Sequence, residues 1–359
     1  MQDDFTSLIL RRVRALTAYR LDPHPASVKL DQNENTLGPP EPILAEMEER
    51  LRSIPLFRYP TPGQPEIRAA LSKAFDWPAE GILVGNGSDE LLNTIALAVL
   101  EPGRVALAPT PSFFVYGQAA RIQGADVVEV PLTENFEYDV DAFVDAVSKH
   151  APHLVFLCSP NNPTGTVLSV EGIRRIVTSA PGLVVLDEAY WEFCGENGRA
   201  LLDELDNLLI FRTFSKAFGM AGLRVGYVLL QPSLRRQIVK VQQPYPLNRV
   251  SQEAVLAALS HYDLVLARAA EIAATREALG TRLGELPGVE VFPSRTNFLL
   301  FRTSLSGDDT FQGLLERGVL VRNVSAHPRL QNLLRATIGT EEENESFYAA
   351  LRETVEAGA

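Results

Sequence analysis

The sequence predicts an α/β fold: a large domain with a mostly parallel, seven-stranded sheet between helices, a smaller α+β C-terminal domain, and an N-terminal arm. Three observations carry this. Seven short apolar runs recur between residues 81 and 230, and helical patterns separate most of them. The runs are apolar throughout, as strands covered on both faces are. After Pro232 the pattern changes to long helical stretches and then short strands, which is an α+β order.

Taken in order, residues 8–16 suit a short amphipathic helix. Residues 17–42 are irregular, with prolines around Asp31-Gln-Asn-Glu-Asn35. Their varied polar content suggests an ordered arm, not a linker. A helix follows over 43–53, then the proline-braced loop Phe57-Arg-Tyr-Pro-Thr-Pro-Gly63. The seven strands are expected at 82–85, 105–109, 126–130, 154–158, 183–186, 208–211 and 225–230, with helices at 89–100, 114–123, 140–149 and 170–179. Beyond them, helices are expected at 251–259 and 264–286, and strands at 289–292, 296–301, 318–322 and 333–338. This divides the chain into an arm (1–42) packing with the small domain, a large domain (43–250) and a small domain (251–359). The boundary falls somewhere within 231–280.

Net charge is −12, from 33 basic and 45 acidic residues. Nucleic acid and anionic membranes both require a basic footprint, so neither is an expected partner. Two cysteines cannot build a disulfide framework, and no apolar signal core opens the chain. A reducing, cytoplasmic location is expected, and no metal site is.

Lys216 follows the strand expected at 208–211, on a loop beyond a strand end, where α/β proteins place their chemistry. Ser215 and Arg224 flank it as groups suited to a phosphate, and apolar neighbours would depress its pKa. Four other strand ends carry polar residues. Val84-Gly-Asn-Gly-Ser-Asp-Glu90 precedes a helix that Ser88 or Asp89 can cap; with Gly87, its N-terminus forms an anion site. Pro109-Thr-Pro-Ser-Phe-Phe-Val-Tyr116 offers Phe113 for stacking on a flat ring. Cys158-Ser-Pro-Asn-Asn-Pro-Thr-Gly165 presents Asn161 and Asn162 in a rigid turn. Asp187 ends an all-apolar run, where a carboxylate demands a cationic partner, and Tyr190 follows three residues later. Each feature alone has an ordinary structural explanation: a capped helix, a core ring, turn chemistry, a strand-end cap. Together they suit pyridoxal 5′-phosphate, which needs a lysine, a carboxylate for its ring nitrogen, donors for its phenolate oxygen and a phosphate site.

Ser-Pro-Asn-Asn-Pro-Thr-Gly, Asp-Glu-Ala-Tyr and Ser-Lys with Gly222 and Arg224 resemble, in this order and spacing, the class II branch of the fold-type I, pyridoxal-phosphate-dependent aminotransferases. The similarity runs from about Tyr19 to the C-terminal helix and is greatest with enzymes acting on histidinol phosphate. The resemblance implies a Schiff base at Lys216, Asp187 on the pyridine nitrogen, and Asn162 and Tyr190 on the phenolate oxygen. Ser215 and Arg224 would bind the phosphate with the backbone of Ser88 and Asp89. Phe113 stands where the family often has tyrosine. The resemblance further implies a homodimer with shared sites, Tyr59 reaching the partner subunit's cofactor phosphate. Tyr19, Arg322 and Arg335 would hold the substrate's anionic end. The implied reaction exchanges an amino group between histidinol phosphate and 2-oxoglutarate, in histidine biosynthesis. An aromatic amino acid aminotransferase and a threonine-phosphate decarboxylase share nearly all these motifs. A ligand-sensing domain of a transcription factor would need an added basic DNA-binding domain, for which this acidic chain has no room.

Overall fold

The computed structural model describes residues 5–18 and 24–358. Its strands in chain order are β1 (Val28–Lys29), β2 (Ile82–Gly85), β3 (Val105–Thr110), β4 (Asp126–Pro131), β5 (Leu154–Cys158), β6 (Leu183–Asp187), β7 (Leu208–Thr213), β8 (Gly226–Leu229), β9 (Glu290–Phe292), β10 (Phe298–Arg302), β11 (Val319–Leu320), β12 (Arg322–Asn323) and β13 (Leu334–Thr337). Seven of them form one sheet in the order β2-β8-β7-β6-β5-β3-β4. Six of the seven run in one direction, and β8 runs opposite to them. Every residue of β5 and β7 is buried, which accounts for the unbroken apolar runs Leu154–Cys158 and 208–211; Arg212, at the end of the latter, is buried as an ion pair. The helices Ser88–Val99 and Val115–Gln123 pack on one face with Leu83, Phe156 and Phe211. Val140–His150 and Val170–Ser179 cover the other, with Val155, Leu157 and Leu186.

The smaller C-terminal domain holds the antiparallel sheet β12-β13-β10-β9. The strand expected at 318–322 is two strands. β11 pairs in parallel with β1 of the arm, whereas β12 pairs with β13. Its apolar run is continuous, but its halves have different partners, and pairing at this range is invisible to local pattern. The helix expected at 8–16 is a 3₁₀ turn (Phe5–Leu8) and a single α turn (Arg11–Arg14) with no buried residue, so little packing supports anything longer. The helix Arg249–Ser260 packs on Glu41–Arg52 and Pro65–Phe75.

Beside the strand ends lies a buried ion pair. Arg212 donates to Glu188 Oε2 from Nε at 2.9 Å, and its Nη2 lies 2.8 Å from the same oxygen in an ion pair. Its guanidinium lies over the Trp191 ring at 4.4 Å and the Phe75 ring at 5.1 Å, and the Gly198 N–H donates to the remaining Glu188 oxygen. Removing one partner of such a pair strands a buried charge. Arg212→Leu is therefore expected to cost about 3–5 kcal/mol in denaturant unfolding, and the double substitution Arg212→Leu with Glu188→Leu distinctly less. Equal losses would show that the charge was never confined.

Candidate active site

The C-terminal ends of the parallel strands converge on one cavity of about 730 Å³. Ser88, Asp89, Phe113, Asn162, Asp187, Tyr190, Ser215, Lys216, Arg224, Arg322 and Arg335 all line it. Lys216 sits three residues beyond β7. Its amine donates to the Gln32 carbonyl at 3.0 Å and lies 5.9 Å from the centre of the Tyr190 ring. Burial, with the Arg335 guanidinium second, depresses its pKa to about 8. An amine that is half neutral at pH 8 is a nucleophile at working pH.

The anion cradle is made by close backbone approach. The N-cap of the helix Ser88–Val99 is Gly87, with φ +84° and no side-chain cap. The expected capping by Ser88 or Asp89 does not occur: the helix begins at Ser88, so both lie inside its first turn, and the Asp89 carboxylate is 3.1 Å from Arg224 Nη2. A Cβ on Gly87 would come within 2.6 Å of that same nitrogen, and one on Gly226 within 2.5 Å of Ser88 N. Arg224 has a left-handed backbone (φ +52°), and its Nη1 is 3.5 Å from Ser215 Oγ. A helix N-terminus, a hydroxyl and a guanidinium thus face one spot, a combination suited to a phosphate.

Asp187, the last residue of β6, is buried. Its Oδ2 accepts from the Tyr116 hydroxyl at 2.7 Å and its Oδ1 from the Ala189 N–H at 3.0 Å. Burial pushes its pKa up to about 6, while these two bonds pull it back. It therefore stays ionised at neutral pH, as a partner for a protonated ring nitrogen must. Of the two candidate amides, Asn161 is fully buried and spent on the turn: it donates to Pro111 O and Thr164 Oγ1 and accepts from Ser112. Asn162 faces the cavity, its Oδ1 accepting from Arg335 Nη1 at 2.6 Å. Because guanidinium only donates, the Asn162 NH₂ must be the end left for a ligand. Arg335 also donates to Asp31 O, and Arg322 is its register partner across β12 and β13.

Two expected residues stand apart. Tyr19 lies outside the described residues. Tyr59 does not line the cavity; its ring is 81% exposed and stacks on Tyr245 at 4.6 Å. Three residues were not singled out from sequence. Tyr116 lies at the start of the helix Val115–Gln123, its ring in edge contact with Phe113 at 5.6 Å. Asn33, from the polar arm, donates to the Tyr190 hydroxyl at 2.9 Å. His327 lines the cavity beside Thr110, and a lone histidine leaves no pattern to read.

Residues 25–351 match the family Aminotransferase class I and II. The chain is 38% identical over 347 residues to the histidinol-phosphate aminotransferase of Thermoanaerobacter sp. (strain X514), covering 97% of this chain and 98% of that one. It is 41% identical over 349 residues to histidinol-phosphate aminotransferase 2 of Bordetella bronchiseptica, covering 96% and 95%. The crystal structure of histidinol-phosphate aminotransferase from Sinorhizobium meliloti with pyridoxal 5′-phosphate superposes with a TM-score of 0.86 over 97% of this chain and 98% of that one, at 24% identity, a likeness of fold. L-threonine-O-3-phosphate decarboxylase from Porphyromonas gingivalis superposes at 0.79, with 27% identity, over 92% and 99%.

The depressed pKa has a direct consequence. In cofactor-free protein, competitive acetylation of Lys216 should rise through pH 8 as its amine loses a proton, about 2.5 pH units before an ordinary lysine. Mapping the modified peptide across pH checks this; half-labelling near pH 10.5 would mean that the amine is fully hydrated.

Proposed function

The chain belongs to the class I and II aminotransferase family, close to the histidinol-phosphate aminotransferases, and on that premise we propose that it transfers the amino group between L-histidinol phosphate and 2-oxoglutarate. The products are imidazole acetol phosphate and L-glutamate, a step of histidine biosynthesis. One observation carries the substrate choice: the cavity holds a second cationic group, the strand partners Arg322 and Arg335, besides the Ser88, Ser215 and Arg224 cradle. Two anion sites suit a cofactor phosphate and a substrate that is a phosphate in one half-reaction and a carboxylate in the other. Bidentate guanidinium groups serve both anions. We assign the arm to residues 1–42, the cofactor side to 43–250 and the substrate side to 251–359.

The residues fit pyridoxal 5′-phosphate: the cradle closes so tightly on Arg224 that a Cβ at Gly87 would fill it, and Lys216 opens onto the same cavity. When bound, the cofactor supplies an aldehyde for amines and a ring that withdraws electrons once its nitrogen is protonated. Lys216 Nζ would hold it and, once displaced by the incoming amine, carry the proton leaving the substrate Cα. Asp187, kept anionic by Tyr116 and the Ala189 N–H, would hold the proton on the ring nitrogen. Asn162 Nδ2 and the Tyr190 hydroxyl would donate to the phenolate oxygen, and Phe113 would cover one face of the ring. Arg335, bonded to Asn162, links the substrate anion to that oxygen.

The same reading places two copies together in the cytoplasm, with Tyr59 reaching the partner subunit's site. The exposed Leu56, Phe57 and Tyr59 on one loop support a covering partner. Among the described residues, no helix is long and apolar enough to cross a membrane.

Borohydride should fix the cofactor to the wild-type chain at Lys216 and leave the Lys216→Ala protein unlabelled; labelling of that variant overturns the assignment. Arg335→Leu should slow both half-reactions by about 10- to 100-fold, the loss of a charge-assisted hydrogen bond. Single-turnover spectra with histidinol phosphate, phenylalanine and threonine phosphate test the substrate. Histidinol phosphate should react fastest. An equal response to phenylalanine would indicate an aromatic aminotransferase, and release of carbon dioxide from threonine phosphate a lyase.

A further inference from the structure

The polar arm motif Asp31-Gln-Asn-Glu-Asn35 is folded against the active site. Gln32 O accepts from Lys216 Nζ, and Asn35 Nδ2 donates to Ala217 O at 3.1 Å, on the residue after the lysine. Asn33 lies between them, 2% exposed and in a left-handed conformation (φ +55°) that asparagine adopts more readily than most residues. Its backbone is clamped to the C-terminal domain: its N–H donates to Thr337 Oγ1 at 2.9 Å, and its carbonyl accepts from Asn297 Nδ2 at 3.1 Å. Its side chain crosses to the large domain, where Nδ2 donates to the Tyr190 hydroxyl at 2.9 Å.

We propose that Asn33 is a positioning residue: by donating to the Tyr190 oxygen it reserves the Tyr190 proton for a ligand in the cavity. This rests on the cofactor reading above. A phenol has one proton and two lone pairs. With one lone pair engaged by the Asn33 amide, its O–H is left to point at an acceptor elsewhere, and Tyr190 lines the cavity. The opposite amide orientation would consume that proton on Asn33 Oδ1. It would also turn a buried NH₂, with two donors, away from the Tyr190 oxygen, its partner among the described residues. The observed orientation leaves a single acceptor, Oδ1, without a hydrogen bond among the described residues. Hydrogen-bond polarity at Tyr190 is thus set by an arm residue whose own backbone is held by the other domain.

The test reverses that polarity without changing shape. In the holoenzyme, the midpoint of the pH titration of cofactor absorbance reports how well its phenolate is stabilised. Asn33→Asp presents only acceptors, draws the Tyr190 proton, and should raise that midpoint by about one pH unit, the loss of one strong donor. Tyr190→Phe should raise it similarly. A new negative charge alone would also raise it, so the decisive measurement is the double-mutant cycle. With the hydroxyl already removed, Asn33→Asp should add little. Equal shifts with and without the hydroxyl overturn the proposal. Asn33→Gly keeps the left-handed backbone and serves if the aspartate variant fails to fold. It frees the hydroxyl from its constraint and should give a midpoint between wild type and Tyr190→Phe; an unchanged midpoint also overturns the proposal. A wild-type protein with no borohydride-reducible cofactor at Lys216 overturns the cofactor reading and this inference together.

Discussion

Two carboxylates buried side by side at the end of β6 constrain the rest of the molecule. Asp187 and Glu188 are neighbours on an extended chain, so their side chains leave on opposite sides. Neither can be ionised in a protein interior without compensation. Glu188 is compensated permanently, by the Arg212 guanidinium packed against two aromatic rings. Among the described residues Asp187 has a phenol and a backbone N–H as partners, and its pKa is left at about 6. The difference separates scaffold from site. The first anion is neutralised by the fold, and the second remains able to stabilise a positive charge brought by a ligand.

The cations show the same division. Arg335 and Arg224 both depress the Lys216 amine, adding to the effect of burial. Arg224 is partly balanced by Asp89, an exposed pair that solvent weakens. Bringing a phosphate to this cradle would therefore supply the counter-charge that the chain provides only in part. Rigidity matters here, because a helix N-terminus and a guanidinium help an anion only when aimed at one place. Gly87 and Gly226 permit that by letting β8 and the helix N-terminus approach closer than a side chain allows.

The wall opposite the sheet comes from far away in sequence. Arg335 of β13 holds the Asn162 carbonyl, and Asn33 of the arm holds the Tyr190 oxygen. Both proposed donors to the cofactor are thus oriented by groups outside the large sheet. β1 ties the arm to β11, and Thr337 and Asn297 tie Asn33 to the C-terminal domain. Residues 28–35 of the arm are therefore a hydrogen-bonded part of the site's architecture.

The central strands and the helices between them could be read from the chain because burial on both faces writes an unbroken apolar run, and that signal is local. The placement of Lys216, Asp187 and Ser215 at the cavity was legible for a related reason: polar groups stand out where a buried strand stops. Residue order could not show which of Asn161 and Asn162 meets the cavity, since both sit in one turn and only Ser112, Pro111 and Thr164 claim the first. Nor could it show that Gly87 is the residue before the helix, with Asp89 paired to an arginine 135 residues away. Tyr116 and Asn33 acquire their roles through single bonds spanning 71 and 157 residues. Chemistry carried by residue type at a strand end survives in one dimension; the direction in which a hydrogen bond points depends on neighbours that only folding brings together.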